Sequence, residues 1–181
     1  MTLSNIEIKC VQNKSQLKAF VKVLWKVFKD DPNWSPPLIM ERMDALDENK
    51  NPFFQHAKVK LWIAYKDGQP VGRISAQIDE LAEQYHGIKT GHFGYFDCIN
   101  DQQVANALLD TALGWLRENG MVEVIGPFSL SINEETGMLV EGFDRPPMVL
   151  MGHGFAYYQD LITNYGLKKV KDTWAYTLDI T

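Results

Sequence analysis

Gly91-His92-Phe93-Gly94-Tyr95-Phe96-Asp97-Cys98, the helical run from Asp101 to Asn119, and Gly120 followed by Val122-Glu123-Val124-Ile125 read as strand, helix and strand in immediate succession. Val104, Leu108, Leu109, Ala112, Trp115 and Leu116 recur at helical spacing on one side of the middle segment. Asp101 stands where an N-cap is wanted and Gly120 where a helix terminates. Val122 to Ile125 is a short apolar run that reads as a buried strand. Gly94 lies inside the first strand, where glycine weakens pairing and marks a bulge or a close approach of another group to the backbone.

Upstream, Ile6, Ile8 and Cys10 alternate with polar neighbours as a half-buried strand does. Ser15 is placed as an N-cap before Leu17, Phe20, Val21, Leu24 and Phe28, whose helical spacing continues to Asp30. Asp31-Pro32-Asn33-Trp34-Ser35-Pro36-Pro37 breaks that helix, because proline lacks an amide donor and disfavours helical geometry in the residue before it. A second helix is expected from about Leu38 to Leu46. Asn51-Pro52-Phe53-Phe54 closes the segment, its two phenylalanines reading as core plugs. Val59 to Lys66, the turn signal Asp67-Gly68, and Val71 to Ile78 read as a hairpin.

Downstream, Gly126 to Asp144 carries glycines, hydroxyls, an amide and four carboxylates without a repeating apolar pattern. Loops of this length in compact domains are more often functional than idle. Tyr157 to Tyr165 reads as a helix ending at Gly166. The tail alternates Val170, Asp172, Trp174, Tyr176, Leu178 and Ile180, and a terminal strand is expected there. The fold class is therefore α/β (α+β): a mixed sheet with about four helices, in one domain spanning 1–181.

Composition narrows the function classes. The chain has 181 residues, 45% of them hydrophobic and 12% aromatic, enough to fold without metal or disulfide staples. Two isolated cysteines, Cys10 and Cys98, form neither a disulfide framework nor a thiolate metal site and fit a reducing, cytoplasmic compartment. The charge of −5 is spread over scattered acids with no basic block, so no nucleic-acid partner is expected. No apolar run approaches the roughly 20 residues that span a bilayer, and no secretory signal pattern is present.

The element order resembles the GNAT acyl-CoA N-acyltransferase superfamily over nearly the full length. More narrowly, it resembles an uncharacterised branch, on Asp31-Pro32-Asn33-Trp34 with Pro36-Pro37, Asn51-Pro52-Phe53-Phe54, Val71-Gly72-Arg73-Ile74, and Gly126-Pro127 through Gly142-Phe143-Asp144 followed by Pro146-Pro147. The resemblance implies that Gly91–Cys98 and Val122–Ile125 are parallel neighbours that splay apart. The pantetheine arm of acetyl-CoA or another acyl-CoA then lies in the gap against the backbone of Phe96, Asp97, Cys98 and Ile99. It also implies a homodimer or a second GNAT-like half as partner, and a small-molecule amine as acyl acceptor.

In the same superfamily a pyrophosphate rests on free amides at a helix N-terminus, where glycine lets the backbone come close. Anchored on Ala107-Leu108-Leu109, that pattern puts its Arg or Gln position on Asn100, its first glycine on Gln103 and its closing small residue on Ala105, and only the last is matched. Gln103, Val104 and Ala105 are the expected wall of this site, and Asp101 competes for the same amides. The tyrosine that donates a proton to the departing thiolate falls on Ile162, with Tyr158 one turn earlier on the same face.

Among bases, Glu134 is the expected choice, with Asn133 binding the amide-like part of a ligand; burial would lift such a carboxyl toward neutrality. Glu135 reads as a solvated loop charge. Ser129, Ser131 and Glu141 complete the expected substrate wall. No pair among His56, His86, His92 and His153 has metal-ligand spacing, so no metal is expected, and His153, beside Gly152 and Gly154, is the one near the loop. Two function classes follow: an acyl-CoA-dependent N-acyltransferase, or a catalytically inactive module of the same shape that binds a small molecule or a partner.

Overall fold

The computed structural model describes residues 5–176, 178 and 179. The elements run β1 (Ile6–Cys10), α1 (Lys14–Val27), α2 (Ile39–Ala45), a 3-10 turn (Pro52–Gln55), β2 (Ala57–Lys66), β3 (Gln69–Asp79), α3 (Glu80–His86), β4 (Thr90–Cys98), α4 (Gln102–Glu118), β5 (Glu123–Ile125) and α5 (Tyr157–Tyr165). One sheet has the order β1-β2-β3-β4-β5; its first four strands are antiparallel neighbours and β4 and β5 are parallel.

The sheet is covered on both faces. Phe20 of α1 meets Tyr95 of β4 edge-on, with ring centroids 6.0 Å apart, and Arg73 of β3 lies over both rings. On the opposite face a Cβ at the adjacent Gly72 would meet Leu108 of α4, and Trp62 of β2 packs against Trp115 of α4. Successive strand residues point to opposite faces, so the middle of β2 and most of β3 are buried residue after residue. The Asp67-Gly68 turn has positive φ at both residues (51° and 76°), which suits a two-residue hairpin.

Four local expectations change. The N-cap of α1 is Asn13, whose side chain accepts from the Gln16 amide at 3.0 Å; Ser15 is already inside the helix. Val122 lies outside β5 and is exposed, and β5 itself is at most half-buried because it is an edge strand with β4 as its one sheet neighbour among the described residues. α3 is an additional helix, started by Asp79 accepting from the amides of Leu81 and Ala82; with no buried residue it has no apolar stripe to read. The tail beyond Gly166 forms no strand among the described residues, and Val170, Trp174, Tyr176 and Leu178 are exposed. Alternation says which face a strand would bury, but it supplies no edge to pair with. Ile180 lies outside the described residues.

What positions the site is the mismatch between β4 and its two neighbours. Against β3, register jumps between Arg73↔Asp97 and Ser75↔Gly94, which puts an extra β4 residue at Tyr95-Phe96, with Tyr95 at φ 45°. Such a bulge bends its strand and raises the local twist. Against β5, pairing covers only Thr90↔Glu123, Gly91↔Val124 and His92↔Ile125. The chain then leaves the sheet through the cis Gly126-Pro127 bond, and the Phe128 amide donates to the Phe93 carbonyl at 2.7 Å.

The Phe128 carbonyl lies directly over Gly94, where a Cβ would overlap it. Buried Gln77 fastens this crossing, donating from Nε2 to the Phe128 carbonyl at 2.5 Å and to the Leu130 carbonyl at 3.4 Å. Gly94→Ala should therefore lower unfolding stability in urea titrations by at least about 3 kcal/mol, the upper end of overpacking costs. Gly114→Ala, in α4 with open space around its Cβ position, should raise it by about 0.5–1 kcal/mol.

Candidate active site

Past the last β4–β5 pair, the β4 edge faces a cavity of about 110 Å³ roofed by the loop that follows β5. Leu24 and Phe28 of α1, Trp34 and Pro37 of the proline-rich break, Arg73 and Asp97 of the sheet, and Ser129, Glu135 and Met138 of the loop contribute to its wall. Segments far apart in sequence thus meet at one place. Trp34 stacks on Phe28 with centroids 5.6 Å apart, and Asn33 donates to the Phe143 carbonyl at 3.0 Å, which ties the proline-rich break to the far end of the loop.

Each arginine in this wall is neutralised. Arg73 Nε donates to Asp97 Oδ2 at 2.8 Å, both side chains less than a tenth exposed. Arg42 of α2 pairs with Glu135. Glu135 is thus a partly buried ion-pair partner rather than a solvated loop charge, because the loop folds back onto α2. Burial works against the Arg42 charge, and Glu135 outweighs it, leaving the guanidinium more firmly protonated than usual. Tyr95, between the two arginines, has its phenol pushed up to about 12 by burial, against the pull of Arg42 and Arg73.

The tyrosines of α5 occupy the β4 edge. Tyr157 Oη donates to the Cys98 carbonyl at 2.9 Å, and the Cys98 amide donates to Tyr158 Oη at 3.3 Å. Tyr158 Oη also lies 3.4 Å from Asp97 Oδ1. Burial, reinforced by the Asp97 carboxylate, drives the Tyr158 phenol well above its ordinary value, so it holds its proton at neutral pH. Burial likewise raises Tyr157 and the Cys98 thiol. Cys98 is an inert core thiol, not a nucleophile. Phe96 and Asp97 line the cavity and Ile99 does not; its amide donates to the Val71 carbonyl at 3.0 Å.

At the N-terminus of α4, Asp101 accepts from the amides of Gln103 at 2.9 Å and Val104 at 3.4 Å and pairs with Lys66 at 2.5 Å. The Ala105 amide donates to the Asp101 carbonyl. Burial alone would raise the Asp101 carboxyl, and these bonds outweigh it, holding it below the ordinary carboxylate value. Its contribution to the first turn of α4 is therefore complete above about pH 3.9 and is lost as pH falls through the lowered folded value. The amides that would cradle a pyrophosphate are occupied by the chain's own carboxylate.

The remaining expected residues scatter. Ser129 is buried and lines the cavity; Ser131 is half-buried and its Oγ accepts from the Asn133 amide at 3.2 Å. Asn133 and Glu141 are exposed. Glu134 is half-buried outside the cavity wall, and burial raises its carboxyl despite Arg42. Ile162 lines the cavity beside Tyr158. Sequence reading passed over Arg42, Arg73 and the pair formed by His153 Nε2 and Asp31 Oδ2 at 2.8 Å. Arg73 and Asp31 did stand inside the quoted strings, while nothing in the sequence signalled Arg42. No group of three or more potential metal-ligating side chains occurs among the described residues, and no helix there is long and apolar enough to cross a membrane.

No family model matches the chain. The bacterial ceramide synthase of Caulobacter vibrioides is 46% identical over 181 residues, covering 99% of this chain and 47% of that protein. Protein YghO of Escherichia coli is 46% identical over 169 residues, covering 93% of this chain and 43% of that protein. The chain thus spans somewhat less than half the length of these curated relatives.

Among solved structures, the aminoglycoside acetyltransferase meta-AAC0020 from an uncultured soil metagenomic sample, in complex with sisomicin, superposes with a TM-score of 0.57 at 15% identity, covering 96% of this chain and 97% of that one. A predicted acetyltransferase with acetyl-CoA from Clostridium acetobutylicum gives 0.57 at 9% identity, covering 96% of each chain. This chain has the GNAT fold, and its parallel β4–β5 pair parts after three residue pairs.

Breaking the buried Arg73–Asp97 pair strands a charge. Arg73→Met should cost about 3–5 kcal/mol of unfolding stability, and adding Asp97→Leu should recover much of the loss, because a pair replaced by apolar groups leaves no unpaired ion. Denaturant titration of the two single variants and the double variant checks this.

Proposed function

We propose that this GNAT-fold chain transfers an acyl group from an acyl-CoA thioester to the primary amine of a long-chain amino alcohol, as one half of a longer protein. The observation that carries the reading is the unpaired stretch of β4 opening on a cavity beside a buried, protonated tyrosine. The name of the Caulobacter relative supports the acceptor, since a ceramide is the N-acyl derivative of such an amino alcohol. The wall suits an ammonium group that must lose its charge before it reacts, because both of its arginines are paired with carboxylates and neither is left to repel a cation.

An acyl-CoA fits the strand edge better than it fits the helix. The backbone of Phe96 to Cys98 would take the amides of the pantetheine arm, with the Tyr157 and Tyr158 hydroxyls exchanging their Cys98 bonds. At α4 the Asp101 carboxylate must yield before Gln103, Val104 and Ala105 can meet phosphate oxygens. The thioester, when bound, supplies an activated carbonyl. On this reading Tyr158 gives its proton to the departing sulfur. Ser129, buried in the cavity wall, then orients the acceptor.

A second reading, a module of the same shape that binds a small molecule or partner without acyl transfer, draws on the capped α4 and the filled Cys98 edge. Thermal unfolding separates the two. Long-chain acyl-CoA should raise the midpoint with concentration, by the equivalent of about 2.7 kcal/mol at one hundred times Kd, and free thiol should appear when a long-chain amino alcohol is added. No shift at millimolar acetyl-, propionyl- or palmitoyl-CoA would leave the binding module. Tyr158→Phe should still bind acyl-CoA and lower kcat by about 10²–10⁴. Asp101→Asn, which keeps a cap and removes the charge, should tighten Kd by roughly two- to fivefold, the weight of one charge at a helix end.

A further inference from the structure

We propose that His153, held by Asp31, is the general base that takes the proton from the acceptor ammonium; the proposal rests on the acyltransferase reading. His153 lines the cavity with its side chain about nine-tenths buried. Its Nε2 lies 2.8 Å from Asp31 Oδ2, and its Nδ1 is buried without a hydrogen-bond partner among the described residues. A buried polar nitrogen left unpaired costs about 1–3 kcal/mol. A ligand that brings a donor removes that cost.

The carboxylate fixes the tautomer. Asp31 accepts from Nε2–H, so the lone pair is on Nδ1, the nitrogen left without a partner. The ring is wedged as well as bonded: Phe28 lies against it, with centroids 5.3 Å apart, and Phe28 is itself stacked on Trp34 and Phe155. Gly152 and Gly154 flank it, and a Cβ at Gly154 would press on the Tyr158 ring, so the backbone carrying the base passes close to the tyrosine that serves the leaving group.

The other proton acceptors around the cavity are engaged. Asp97 is bound by Arg73 and Glu135 by Arg42, so neither carboxylate can take a proton without leaving its guanidinium unpaired. Tyr95 and Tyr158 are phenols that burial keeps protonated. Glu134 is outside the wall. With the two arginine–carboxylate pairs neutral, Asp31 is the charge that bears directly on His153 among the described residues.

The proton count closes. His153 Nδ1 removes one proton from the ammonium; the freed nitrogen pair forms the C–N bond to the acyl carbon as the C–S bond breaks. Tyr158 gives its hydroxyl proton to the sulfur and regains one from the second N–H of the new amide. His153 passes its proton to water. Thioester and ammonium become amide, thiol and one released proton.

The test uses the whole chain with palmitoyl-CoA and a C18 amino alcohol. His153→Gln, which keeps a group for Asp31 to bind, should leave the palmitoyl-CoA Kd within twofold, lower kcat/KM by about 10²–10⁴ and remove the acid limb of its pH profile. Asp31→Asn should give a smaller loss with the limb displaced. In 15N-histidine-labelled protein, long-range 1H–15N correlations should show His153 as the Nε2–H tautomer, a readout independent of turnover. Full kcat/KM with an intact acid limb in His153→Gln, or a Nδ1–H tautomer, overturns the assignment while the acyltransferase stands. So does loss of that limb in Glu134→Gln alone. A wild-type protein that neither binds nor consumes palmitoyl-CoA overturns the acyltransferase reading and this base with it.

Discussion

The fourth strand cannot satisfy both neighbours along its length. It carries one residue too many for β3 at Tyr95-Phe96, and it loses β5 after His92. Everything at the site descends from that double mismatch. The crossing of Phe128 over Gly94 is tolerated because there is no Cβ in the way, and the Gln77 amide, itself fully buried, keeps the crossing in place. The loop can then lie across the α1 face of the sheet and reach α2 through the Arg42–Glu135 pair.

Inside the resulting cavity the physics is one of cancelled charge. Two arginines enter with their own carboxylates, so the buried environment costs less than four separate ions would, and no net field is left to hold an anion. Aromatic surface from Phe28, Trp34 and Tyr95 forms part of the remaining wall. Tyr95 and Leu130 both hold positive φ (45° and 80°), conformations that cost non-glycine residues energy and cluster at functional sites. Both sit where the loop crosses the strand.

The legible part of this architecture is what periodicity and turn chemistry encode. The α4 stripe, its Asp101 cap, the Asp67-Gly68 hairpin and the α5 terminator at Gly166 occur where those rules put them. The α1 cap shifted by two residues because Asn13 and Ser15 are both competent acceptors and only the approach angle of the chain selects between them. The terminal strand failed for a different reason, since pairing depends on a neighbouring edge that no local pattern announces. At the site, the loop was marked by its polar density, yet the member of the Glu134-Glu135 pair that reaches inward was set by Arg42, 93 positions away. His153 and Asp31, 122 positions apart, were equally out of reach of local spacing.

The most direct measurement of the central claim is amide hydrogen exchange along β4 with and without palmitoyl-CoA. The account requires that the ligand lie on the strand edge that β5 abandons, so exchange at Phe96 should slow when palmitoyl-CoA binds, while Thr90 to His92, already paired with β5, should change little. Binding that leaves Phe96 unprotected, or that protects only surfaces away from this edge, would contradict it.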